Sequence, residues 1–137
     1  MKQVNPWFLD DLMSPISGLA DDDDAVMYYR QMNVDSEEKF RAIIREKFVV
    51  YYYALDEQKQ EKAKLALSFY LSKPEYDFEG VFEADLPPFD PPKDARDFFV
   101  WLWEELFPGE NYVISDLKSY KIVPDIYEPN RPTKKRS

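Results

Sequence analysis

Residues 35–55 read DSEEKFRAIIREKFVVYYYAL, and the spacing of their apolar side chains decides the fold. Phe40, Ile43, Ile44, Phe48, Tyr51, Tyr52 and Leu55 recur at helical intervals, one stripe over roughly four turns. Glu37, Lys39, Arg41, Arg45 and Lys47 occupy the other faces. Ahead of them, Asp35, Ser36, Glu37 and Glu38 have the pattern of a capping box, with Asp35 accepting from inward amides and Glu38 reaching back. Such a stripe is buried against other helices, which sets the chain in a mostly α class.

The flanking sequence extends this reading. Asn5 and Pro6 mark a helix start, with Asn5 as N-cap and Pro6 at the first helical position. Trp7, Phe8, Leu9, Leu12 and Met13 supply its buried face before Ser14 and Pro15 end it. A turn through Ser17, Gly18 and the run Asp21, Asp22, Asp23 and Asp24 leads into a second helix at about residues 23–32. The positive end of the helix dipole accounts for one or two of those four acids, not for all.

On the other side, residues 56–62 are polar, and Ala63, Ala66, Leu67 and Tyr70 then resume an apolar stripe in phase with Leu55. Residues 36–72 therefore form one long helix or two joined near Asp56, and compactness favours two. Lys73 and Pro74 stop the second. Loose alternation over residues 76–84 predicts a short strand or hairpin arm, followed by a loop carrying Pro87, Pro88, Pro91 and Pro92. Asp94 caps a further helix to about Phe107, with Ala95, Phe98, Phe99, Leu102 and Leu106 on its buried stripe. Trp101 and Trp103 lie off that stripe, so this helix is either buried all round or offers aromatics outward. Short strands are expected at residues 112–114 and 120–123. The expected architecture is one helical domain over residues 1–128, a bundle of about five helices with one or two short β-strands. Residues 129–137 are expected to be a disordered basic tail.

Charge falls in blocks. Between Gln3 and Tyr29 there are six carboxylates and no Lys or Arg. Residues 75–90 are equally free of bases and carry Glu75, Asp77, Glu79, Glu83, Asp85 and Asp90. Residues 1–117 hold 12 bases against 25 acids, while the last twenty residues hold six bases against two acids. Blocks of this kind attract a basic surface and repel nucleic acid and anionic lipid. A content of 45% apolar and 17% aromatic residues separates the chain from disordered acidic sequences and is enough for a core.

Several chemistries drop out. The chain has no His and no Cys, which removes Ser-His-Asp and Cys-His catalysis, zinc sites and disulfides. A catalytic carboxylate pair is the remaining option, and among 27 acids pairing alone carries no specificity. No catalytic residue, metal ligand or cofactor is assigned. The run of four Asp lacks the alternate acids, central Gly and terminal Glu of a calcium loop. Lys134, Lys135 and Arg136 resemble a minimal nucleic-acid patch, but the negative remainder of the chain opposes direct nucleic-acid binding. No window reaches the length of an apolar membrane span, and the start of the chain lacks the apolar run of a signal peptide. A soluble, cytoplasmic protein without membrane contact is expected.

The candidate binding face is the acidic, aromatic segment 75–90, with Glu75, Tyr76, Asp77, Phe78, Glu79, Glu83, Asp85 and Asp90, together with Asp21, Asp22, Asp23 and Asp24. Aromatics anchor at low entropic cost, and carboxylates around them steer a basic partner. The competing reading has Tyr76, Phe78 and Phe82 packed inward and the acids merely solvated.

A Ser-Glu-Glu helix start (Ser36, Glu37, Glu38), an acidic tyrosine-bearing segment (75–90) and a proline-led, tryptophan-bearing helix (after Pro92, with Trp101 and Trp103) follow one another in that order. This order resembles the bacterial immunity proteins of colicin DNases and contact-dependent inhibition systems, although the spacing differs and the chain is longer. The resemblance implies stoichiometric inhibition of a cognate nuclease toxin domain, whose basic active site or exosite the acids and aromatics would cover. Two other classes share parts of the pattern: a DNA-mimicking phage or plasmid inhibitor, and an adaptor oligomerising through Trp101 and Trp103.

Overall fold

The computed structural model describes residues 2–132. Its architecture is mostly α, with seven α-helices and a small two-stranded parallel sheet among the described residues. The stripe that opens at Phe40 lies on one continuous rod: α3 (Glu37–Ile43) passes through a π-helical segment (Ile44–Phe48) into α4 (Val49–Ala54). Phe40, Ile44, Phe48 and Tyr52 follow at four-residue steps and are all buried. In an ideal α-helix each such step turns the face by roughly 40°. The wider π turn absorbs that drift and keeps the stripe on one side.

Ser36, one residue later than expected, is the N-cap of this rod, its Oγ accepting from the Lys39 amide at 3.3 Å. Asp35 instead pairs with the Lys39 ammonium at 3.2 Å. The rod ends where Leu55 turns extended, and Asp56 then caps α5 (Glu57–Leu71) by accepting from the Lys59 amide at 2.9 Å. Two helices, not one, therefore span residues 36–72.

α7 (Ala95–Leu106) is the centre of the bundle and packs against α3, α4 and α5 and against α6 (Phe78–Ala84). Phe98 meets Phe40, Phe48, Phe82 and Phe99 edge to face, with ring centroids 5.2 to 6.2 Å apart. Of the two ways to use the tryptophans, burial prevails. Trp103 is buried with its indole donating to the Glu110 carbonyl at 2.7 Å, and Trp101 is half-buried against Phe40.

The first helix, α1 (Trp7–Leu12), lies on α5. Pro6, not Asn5, holds its N-cap position and the helix starts one residue later than expected, with Asn5 Oδ1 accepting from the Trp7 amide at 3.0 Å. The same side chain donates to the Asp125 carbonyl and to Glu128 Oε1, both at 2.9 Å, and so clips the two ends of the described chain together. Beside it β1 (Lys2–Val4), which the sequence pattern does not announce, pairs in parallel with β2 (Tyr120–Ile122). Residues 112–114 form no strand: the Tyr112 carbonyl accepts from the hydroxyls of Ser68 and Ser72, and the Ile114 amide donates to Ser72 Oγ at 2.8 Å.

The boundary placed at residue 128 also shifts. Glu128–Asn130 is a 3-10 turn against α1 with Pro129 buried, and residues 133–137 of the expected tail lie outside the described residues. Every α-helix contributes to one cluster of buried apolar side chains. Among the described residues, no helix is long and apolar enough to cross a membrane.

Candidate functional site

The acidic segment folds as a helix, not as the expected strand. Phe78, Val81 and Phe82 are three and four residues apart, a helical spacing that loose alternation with acids disguises. Asp77 caps α6, its Oδ1 accepting from the Gly80 amide at 3.0 Å. Phe78 and Phe82 then point into the core, where Phe78 lies 4.7 Å from the Phe99 ring. Tyr76 is half-buried, its ring 4.2 Å from that of Tyr70. Phe78 is therefore a core residue and not an anchor that a partner can reach. Glu75, Asp77, Glu79, Glu83 and Asp90 stand exposed, as the binding reading requires of them.

Asp85 is a second correction, because it is only 6% exposed. Its Oδ1 accepts from Ser17 Oγ at 3.3 Å. Its Oδ2 meets no donor, and the Asp10 carboxyl beside it favours the protonated form. Burial pushes the Asp85 carboxyl up to about 8, and the hydrogen bond and charge of Asp10 push in the same direction. Asp11, next to Asp10, is likewise raised by burial, against the opposing hydrogen bond from Tyr51 at 2.9 Å.

The fold joins the two acid blocks. The Gly18 amide donates to the Asp85 carbonyl at 2.7 Å and the Ala20 amide to the Leu86 carbonyl at 2.9 Å. Asp21 follows directly, Asp22 caps α2 (Asp23–Met32) by accepting from the Ala25 amide at 3.1 Å, and Asp23 and Asp24 fill its first turn. All four are exposed. Beyond the junction, Tyr29 of α2 packs on Phe89 at 5.0 Å, and Asp90 shares a groove of about 430 Å³ with Arg30 and Asn33. Comparison with models of known families, with curated proteins and with solved structures finds no match.

Among the described residues, no ion pair reaches any of the ten carboxylates at positions 21–24, 75, 77, 79, 83, 85 and 90. At one edge Lys93 and Arg96 line a groove with Asp77 and Glu79, but Arg96 is committed to the Leu71 and Lys73 carbonyls. No group of three or more acids suited to a metal ion forms among the described residues.

Three exposed apolar side chains border the joined blocks, and sequence reasoning overlooked them. Met27 and Tyr28 stand on α2 just after the Asp run, and Leu86 sits at the junction, 53% exposed. Leu86 also has a left-handed backbone, φ 49°, which a branched residue adopts only at a cost of about 1–2 kcal/mol. A leucine before proline gives no sequence signal of such a conformation. Trp7, expected on the buried face of the first helix, is instead exposed, and with Asp10 it lines a groove of about 540 Å³ beside Leu9, Tyr76, Val81 and Pro124.

Proposed function

We propose that the protein is an acidic binding protein that inhibits a basic effector by covering its cationic surface, with a bacterial nuclease toxin as the effector, in the manner of an immunity protein or antitoxin. The observation that carries this reading is that backbone hydrogen bonds bring the ends of two base-free acid blocks together, with their exposed acids outside any ion pair among the described residues. Like charges held together raise the energy of the free protein, and a cationic partner relieves that repulsion while being steered onto the surface. Met27, Tyr28 and Leu86 add exposed apolar contact at the border of the acids, which a partner can bury. Inhibition of this kind needs no catalytic group on the inhibitor.

The adaptor reading loses its main support, because Trp103 is buried and Trp101 is half-buried on Phe40. The DNA-mimic reading asks for carboxylates spaced along an extended face, whereas these blocks converge on one junction.

The test is capture of partners from native extract at low and at high salt, with the product of the adjacent gene included. A basic protein bound one to one, released by salt, and carrying a nuclease activity that disappears on binding is the expected result. Self-association alone, or capture insensitive to salt, would overturn the reading.

A further inference from the structure

The groove beside α6 combines an apolar floor with a poised acid. Leu9, Val81, Ala84 and Pro124 line it, and Trp7, 37% exposed, and the half-buried Tyr76 give it aromatic sides. Its acids are Asp10 and Asp77, and no ion pair reaches either among the described residues. Asp10 adjoins the buried Asp85, whose Oδ2 has no hydrogen-bond partner. The groups facing this pair are Ser17, from the turn after α1, and Asp11, which is itself held by Tyr51 and Ser14 and lies in the field of Lys59.

We infer that this groove receives an apolar side chain of a basic polypeptide segment, whose neighbouring cation closes on Asp10. The inference rests on the proposed basic partner and names where that partner anchors. Charge complementarity selects the occupant: a neutral apolar ligand would leave Asp10 and Asp77 unpaired, and a polar basic segment would leave Trp7, Val81 and Ala84 uncovered. A cation at Asp10 makes the negative charge on the buried Asp85 less costly, so near neutral pH binding favours release of the Asp85 proton.

The test uses three short synthetic peptides: a basic one with leucine and phenylalanine between lysines, the same with both apolar residues replaced by serine, and an acidic version with glutamates for lysines. Amide and indole NMR signals and calorimetric heats in phosphate and in Tris are recorded. The first peptide is expected to shift the Trp7 indole and Gly80 amide signals and to bind at least tenfold more tightly than the other two. Its heat is expected to differ between the buffers by the ionisation heat of a released proton. Ala84→Arg, at an exposed helix end that tolerates a cation, fills the groove and should weaken binding at least tenfold. Asp85→Asn should abolish the buffer difference.

Equal binding of the serine peptide, unmoved Trp7 and Gly80 signals, full binding by Ala84→Arg, or equal heats in the two buffers would each overturn the inference. So would concentration-dependent shifts of these signals without peptide, which place a second copy in the groove. Failure here with intact capture of a salt-sensitive basic protein sinks only the groove; loss of that capture sinks the wider reading.

Discussion

On the α3–α7 side, Arg41 is gripped by three carboxylates at once, Glu37 at 2.8 Å, Glu104 at 2.6 Å and Glu105 at 3.0 Å. Across residues 75–90, six carboxylates share no ion pair among the described residues. The same side chains thus serve two ends. Burial works against the charge of Glu105, and hydrogen bonds from Arg45 and Arg41 outweigh it, holding the carboxyl below its ordinary range. The paired side fastens helices to each other. On the unpaired side Asp77 caps α6 and Asp85 holds Ser17, but no ion pair among the described residues ties one helix to another, and burial raises the Asp85 carboxyl above its ordinary range.

The largest effect tests the frame on which both faces stand. Ile44 is 0% exposed, so Ile44→Asp places an unpaired charge in the stripe and should cost at least about 4 kcal/mol, enough to unfold the domain. Circular dichroism on urea titration reads it; a folded, native-like variant would show that the helix face is assigned wrongly.

Next comes Arg41→Met, which removes the hub of three ion pairs and leaves Glu105 to Arg45 alone, and should cost about 2 kcal/mol. The sign with pH follows from the depressed Glu105 carboxyl. The stability it contributes is present above the ordinary carboxylate range near pH 4 and is lost as pH falls through the lower folded value. The variant should show less of that acid-side loss, and an unchanged acid limb would remove the clamp from the account.

At the junction, Leu86→Gly should raise stability by up to about 1 kcal/mol, because glycine accepts the left-handed backbone freely. Partner affinity should fall in the same variant, since the exposed side chain is gone. Stabilisation without loss of affinity would free Leu86 from the interface. The smallest effect belongs to the charges themselves. Replacing Glu75, Glu79 and Glu83 by Gln should add about 0.5 kcal/mol at low salt, and the gain should vanish in high salt. A loss of stability would mean these acids have structural partners after all.

Much of the frame was legible from residues 35–55, because burial of a long apolar stripe tolerates one packing mode. The π turn was not, since four-residue spacing is compatible with helix throughout and only geometry shows where the drift is absorbed. In α6 the helical spacing of Phe78, Val81 and Phe82 was present but masked by the acids between them. The acid blocks themselves were plain in the sequence, whereas their junction through Gly18, Ala20, Asp85 and Leu86 depends on contacts nearly seventy residues apart in the chain. Burial of Asp85 was invisible for the same reason: composition shows six acids alike, and only packing against Ser17 and Asp10 singles one out.

The most direct measurement is capture from native extract at low salt by three forms of the protein: the wild type, the Glu75, Glu79 and Glu83 triple Gln variant, and a charge-matched control with Gln at Glu38, Glu46 and Glu57, exposed acids that have bases near them in sequence. The account predicts one basic protein held stoichiometrically by the wild type and the control and lost by the first variant. Equal capture by both variants, or no basic partner for any form, would contradict it.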